Sequence, residues 1–99
     1  MTQLATFSVD WEDFGQLLCW YKYDEITPPL HSIYRQTETI LALLNETGIK
    51  ATFFVLGMLA EYRPDIVKMI YKQGHEIAIH GYSHKPLTQL SRKEIWDDI

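Results

Sequence analysis

Gly74-His75-Glu76-Ile77-Ala78-Ile79-His80-Gly81-Tyr82-Ser83-His84 is the stretch on which the reading of this chain turns. From His75 to His80 apolar and polar residues alternate, with Ile77 and Ile79 on one side and Glu76, Ala78 and His80 on the other. That period of two is the signature of a strand. Gly81 and the nearby Pro86 predict a turn that curls His84 back under His80, so two imidazoles gather where the strand ends.

Working outward, the remaining residues fall into alternating strands and helices. Ala51 to Leu56 is a short apolar run suited to a strand covered on both faces, and Gly57 ends it. Leu59, Tyr62, Ile66, Met69 and Ile70 recur at helical spacing. Pro64 predicts a break near Arg63, a main helix from Pro64 to Lys72 and a stop at Gly74. Ile33, Ile40, Leu41, Leu43 and Leu44 predict a helix from Ile33 to about Glu46, closed by Gly48. Leu4 to Asp10 alternates as a first strand, with Ala5, Phe7 and Val9 on one face. A last helix begins after Ser91, which stands at capping-box spacing from Glu94.

The order β-α-β-α-β-α implies an α/β fold with parallel strands and right-handed crossovers. Chemistry in such folds collects at the carboxyl ends of the strands. Asp10 closes the first strand and His80 the third, so both fall at one edge although 70 positions separate them.

Composition narrows the function classes. With 99 residues, 46% apolar and 22% charged, the chain has the proportions of a soluble globular domain. Its single cysteine, Cys19, supports no disulfide framework. The apolar run Ala51 to Ala60 falls well short of the roughly 20 residues of a membrane span. The uncharged opening lacks the basic start of a secretory signal, so the expected location is cytoplasmic. Met1 to Ile49 holds seven acids and two bases, three of the acids being Asp10, Glu12 and Asp13. Such a cluster favours a cation or polarised water, and the absence of a basic stripe argues against nucleic acid.

Extended geometry puts Asp10 and Glu12 on one face, and a turn after the strand brings Asp13 back toward it. Taken alone, the cluster also fits a solvated turn, and the His80/His84 pair also fits a loop. Together at one edge, two histidines and a carboxylate leave coordination positions open for water and substrate. Structural zinc, by contrast, is normally closed by four protein ligands. His75 starts the third strand, roughly 16 Å from His80, and reads as structural. His31 reads as a loop histidine. Trp11, Phe14, Trp20, Tyr21 and Tyr23 offer either a stacking platform for sugar rings or packing for the long connection between Phe14 and His31. Asn45-Glu46-Thr47 is a glycosylation sequon at a helix end and carries little weight.

Phe7-Ser8-Val9-Asp10-Trp11-Glu12-Asp13, Ala51-Thr52-Phe53-Phe54-Val55-Leu56-Gly57 and Gly74 to His84 together resemble the polysaccharide deacetylases of carbohydrate esterase family 4, the NodB homology domain. The resemblance covers nearly the whole chain. It implies the amino-terminal portion of a (β/α) deacetylase barrel, whose His-x-x-x-His metal motif matches His80 and His84. Many members carry Thr-Phe-Asp-Asp-Gly as the first motif, with its first Asp as base and its second as metal ligand. This chain departs from that pattern with Asp-x-Glu-Asp, a version associated with exopolysaccharide clusters. Asp10 matches the base, and the metal carboxylate is Asp13 or Glu12, with Asp13 preferred.

The implied reaction is hydrolysis of N-acetyl groups from amino sugars of a polysaccharide, assisted by a divalent metal, zinc above all. The family's general acid and oxyanion donor lie in segments that would follow Ile99, so the 99-residue chain is expected to be inactive and to self-associate through uncovered apolar faces. Two other readings compete: an allantoinase-like amidohydrolase acting on a small or cyclic amide, and a non-catalytic binding or assembly module with vestigial histidines.

Overall fold

A computed structural model describes residues 3–12 and 32–99 of the chain. Three strands, β1 (Ser8–Trp11), β2 (Thr52–Val55) and β3 (Glu76–Ile79), form one sheet in the order β1-β2-β3. Both pairings are parallel, with Asp10 opposite Phe54 and Phe54 opposite Ala78. The crossovers are α1 (Ser32–Thr47) and the pair α2 (Gly57–Tyr62) and α3 (Pro64–Lys72), and α4 (Arg92–Asp98) follows β3. The expected alternating α/β architecture is thus the one observed. No helix among the described residues is long and apolar enough to cross a membrane.

The core explains why the helices lie where they do. Phe53 and Val55 of β2 are buried together with Trp11, with Ile33, Leu41 and Leu44 of α1, and with Ile66 and Ile70 of α3. Val9 and Ile77 pack against the same cluster. One face of the sheet therefore takes all of this helical packing, as in a barrel wall. The opposite face carries Ser8, Asp10, Thr52, Phe54, Glu76 and Ala78, the alternate positions of the three strands. On that face Thr52 Oγ1 donates to Glu76 Oε1 at 2.9 Å.

Boundaries differ from expectation where a partner is lacking. β1 starts at Ser8 rather than Leu4 because β2 begins only at Thr52, whose N–H donates to the Phe7 carbonyl at 3.0 Å. Leu4 and Phe7 are consequently exposed. β2 is buried on its helix side alone, since Thr52 and Phe54 are only half-buried. Ile79 shares a face with Ile77 yet is 73% exposed and lies outside the core cluster.

Helix ends follow local chemistry. Gly48 and Gly74 close α1 and α3 with φ of 69° and 89°, a region that costs glycine no clash. Pro64 opens α3, where its missing N–H is no loss. Ser91 caps α4 in a capping box: its hydroxyl accepts from Glu94 N–H, and Glu94 Oε2 accepts from Ser91 N–H. The short 3-10 turn at Leu87–Gln89 carries no periodicity that reveals it in the sequence.

Candidate metal centre

The site begins with a buried ring. Trp11 is 3% exposed, and its Nε1–H donates to Thr37 Oγ1 at 2.8 Å. The Thr37 hydroxyl in turn donates to the Ile33 carbonyl at 2.6 Å. With Trp11 committed to the core it is not part of a sugar platform. The chain turns tightly about it, Glu12 N–H donating to the Asp10 carbonyl at 3.1 Å, a three-residue turn of a kind common at strand ends. Phe14, Trp20, Tyr21 and Tyr23, together with Asp13 and His31, lie outside the described residues.

β3 supplies the other wall. His80 N–H donates to the Val55 carbonyl at 3.1 Å, which extends the β2–β3 ladder by one residue. Continuing the register pairs Glu12 with His80 across the end of β2, two strand spacings or roughly 9–10 Å between backbones. That gap suits a glutamate meeting an imidazole. Glu12 Oε2 lies 3.1 Å from His80 Nε2 and 2.9 Å from His84 Nε2. The two imidazole rings meet edge-on with centroids 5.3 Å apart.

Among the described residues, this is the one group of three or more potential ligands that converges, with one ligand atom from each of Glu12, His80 and His84 lying within 4.8 Å of the others. Tetrahedral zinc with ligands at about 2.0–2.1 Å would separate neighbouring ligand atoms by about 3.3 Å. The contacts of 2.9 and 3.1 Å need little expansion to admit such an ion. The donor set, two neutral imidazoles and a carboxylate, suits a divalent ion, so these residues fit a metal. His84 Nδ1 is buried and has no hydrogen-bond partner among the described residues, which leaves Nε2 as the ring's outward-directed atom. Asp10 stands outside the cluster, exposed at the end of β1 on the same sheet face.

The turn between the histidines is held from two sides. Gly57 and Met58 at the start of α2 donate to the carbonyls of Gly81 and Tyr82 at 2.8 and 3.3 Å. Gly57 must lack a side chain, since a Cβ there would stand 2.8 Å from Tyr82 Cδ2. The Tyr82 hydroxyl donates to Glu61 Oε2 at 2.6 Å, and that carboxylate holds the phenol above its ordinary range. From α4, Asp98 accepts from Ser83. His84 itself has φ of 64°, the left-handed region, which costs a non-glycine residue on the order of 1–3 kcal/mol. Neither Ser83 nor Asp98 stands out in the sequence, because their meeting depends on how α4 docks.

His75 lies at the opposite end of β3, 5% exposed. Its Nδ1 accepts from Ala51 N–H at 3.1 Å and its ring lies 5.4 Å from that of Phe53. Burial first, and then the Lys50 charge, holds the imidazole below its usual pKa.

A parallel α/β sheet that gathers two histidines and a carboxylate at the carboxyl edge of its strands defines a candidate open metal site. The polysaccharide deacetylase family model matches residues 20–99, and the chain belongs to that family. Chitin deacetylase 1 of Cryptococcus neoformans var. grubii is 42% identical over 59 residues, covering 60% of this chain and 13% of that protein. The peptidoglycan-N-acetylglucosamine deacetylase of Bacillus cereus is 44% identical over 63 residues, covering 64% of this chain and 23% of its own length. Among solved structures, the peptidoglycan deacetylase PdaC of Bacillus subtilis superposes with a TM-score of 0.62 at 40% identity, over 66% of this chain and 32% of that one. A Mycobacterium smegmatis protein described as a polysaccharide deacetylase gives 0.71 at 26% identity, over 94% and 34%. The chain thus spans about a third or less of each of these proteins.

Proposed function

We propose that this stretch is the amino-terminal, metal-holding part of a deacetylase that hydrolyses N-acetyl groups from amino sugars of a polysaccharide. The observation that carries the reading is the convergence of Glu12, His80 and His84 at the strand edge of a chain in this family. The relatives named above are, by name, chitin and peptidoglycan N-acetylglucosamine deacetylases, which favours a glycan over a small or cyclic amide.

The residues divide the work between them. Glu12, His80 and His84 hold a divalent ion, for which zinc suits the two imidazoles and single carboxylate. When bound, zinc supplies a lowered pKa, near 7, for coordinated water and polarises an acetamide carbonyl. Asp10, on the same sheet face and outside the ligand group, takes a proton from the attacking water as general base. Pro86 and Leu87 line an open depression of about 510 Å³ beside the histidines, an apolar flank for a sugar ring. Spanning about a third or less of the relatives it matches, the 99-residue chain alone has little or no turnover. The exposed Ile79, Trp96 and Ile99 favour self-association, and a monodisperse monomer in sedimentation would count against that.

Acetate release from an N-acetylglucosamine oligomer, by a longer protein that carries this stretch, tests the reaction. Metal-dependent release that Asp10→Asn abolishes while zinc content stays intact supports it. Loss of zinc in that variant removes Asp10 as base. A site that takes up no stoichiometric zinc, with His80→Ala changing nothing, returns the chain to a non-catalytic module.

A further inference from the structure

The segment from Gly81 to Lys85 is tied on its α4 side to one carboxylate. Asp98 Oδ1 accepts from both the N–H and the hydroxyl of Ser83, at 3.0 and 2.5 Å. Asp98 Oδ2 lies 3.3 Å from Tyr82 N, whose better acceptor is the Asp98 carbonyl at 2.9 Å. The Ser83 oxygen also accepts from Lys85 N–H at 3.3 Å. Residues on both sides of His84 are thereby linked to Asp98, and Ser83 is 5% exposed, shielded from competing water. His84 between them holds the left-handed conformation that turns Nε2 toward Glu12.

We infer that Asp98 is a positioning residue of the metal site: through Ser83 it fixes the backbone of His84, and with it the direction of that ligand. This rests on the reading of Glu12, His80 and His84 as metal ligands. Asp98 is not in the ligand group, so its effect on the ion is transmitted entirely by the loop.

Zinc titration of the chain against a chromophoric chelator, together with the visible spectrum of its cobalt(II) form, tests the inference. Asp98→Ala should weaken zinc binding by about tenfold or more and shift the cobalt bands, as loss of a supporting partner behind a ligand does. Asp98→Asn, which keeps one acceptor oxygen for Ser83, should recover most of the affinity. Added to Ser83→Ala, Asp98→Ala should cost little more, because the two act through one link. Wild-type affinity and an unchanged cobalt spectrum in Asp98→Ala would overturn the inference. If that variant fails to fold, Ser83→Ala decides, and wild-type affinity there overturns it equally. A wild-type chain that binds no zinc removes the site itself, an outcome distinct from a site indifferent to Asp98.

Discussion

Glu12 Oε2 and His80 Nε2 lie 3.1 Å apart across 68 positions of chain, brought together by sheet register and by the turn at the end of β1. Glu12→Gln keeps the shape of the side chain and removes its charge. We expect it to lower zinc affinity by at least on the order of 100-fold, measured by chelator competition, since direct ligands matter more than the partners behind them. Asp13→Asn is the matched comparison. If it carries the loss instead, the ligand assignment passes to Asp13.

Trp11 fixes where Glu12 begins, so its anchor should matter at a distance. Thr37→Val keeps the volume but deprives the buried Trp11 Nε1–H of its acceptor. A buried donor left unpaired costs about 1–3 kcal/mol, which chemical denaturation would register as a lower midpoint at unchanged slope. No loss of stability would mean that the hydrogen bond is unimportant.

Gly57→Ala tests how closely α2 and the histidine turn are pressed together. The added Cβ would meet Tyr82 Cδ2 at 2.8 Å and Tyr82 Cα at 3.3 Å, so backbone must give way. Destabilisation of about 1–3 kcal/mol is expected, with weaker zinc binding because the displaced turn carries His84. A variant as stable as wild type with unchanged zinc affinity would show that the turn yields freely.

Acid should weaken the fold through His75. Its folded-state pKa lies below the ordinary 6.5, so the unfolded chain binds the extra proton first as pH falls. The stabilisation is complete above about pH 6.5 and is lost as pH drops toward the folded-state value. Melting temperature should decline over that range in wild type, and the decline should be smaller in His75→Gln. Parallel pH profiles for the two proteins would exclude His75 as the origin.

Much of this arrangement is legible in the order of the amino acids. The strand edge shared by Asp10 and His80 follows from hydrophobic periodicity alone, and the helix stops at Gly48 and Gly74 from the need for positive φ. Two features are not legible, for one physical reason. The sequence offers Glu12 beside Asp13 without showing that Trp11, just before Glu12, is anchored by a hydrogen bond 26 positions away, and Asp98 meets Ser83 because α4 docks against the turn. Neither contact leaves a periodic trace, since each is decided by packing between elements. Similarly, Ile79 shares its strand face with Ile77 in the sequence pattern, and that period carries no sign that Ile79 is 73% exposed.

The tie from Asp98 to Ser83 also makes the histidine turn depend on an element that comes later in the chain. β1, β2 and β3 are all in place by Ile79, but the turn that holds His84 takes its second fastening from α4, thirteen residues further on. A chain ending before Arg92 would keep Glu12, His80 and His84 but lose the Asp98 fastening, leaving His84 with less to hold it in its left-handed conformation.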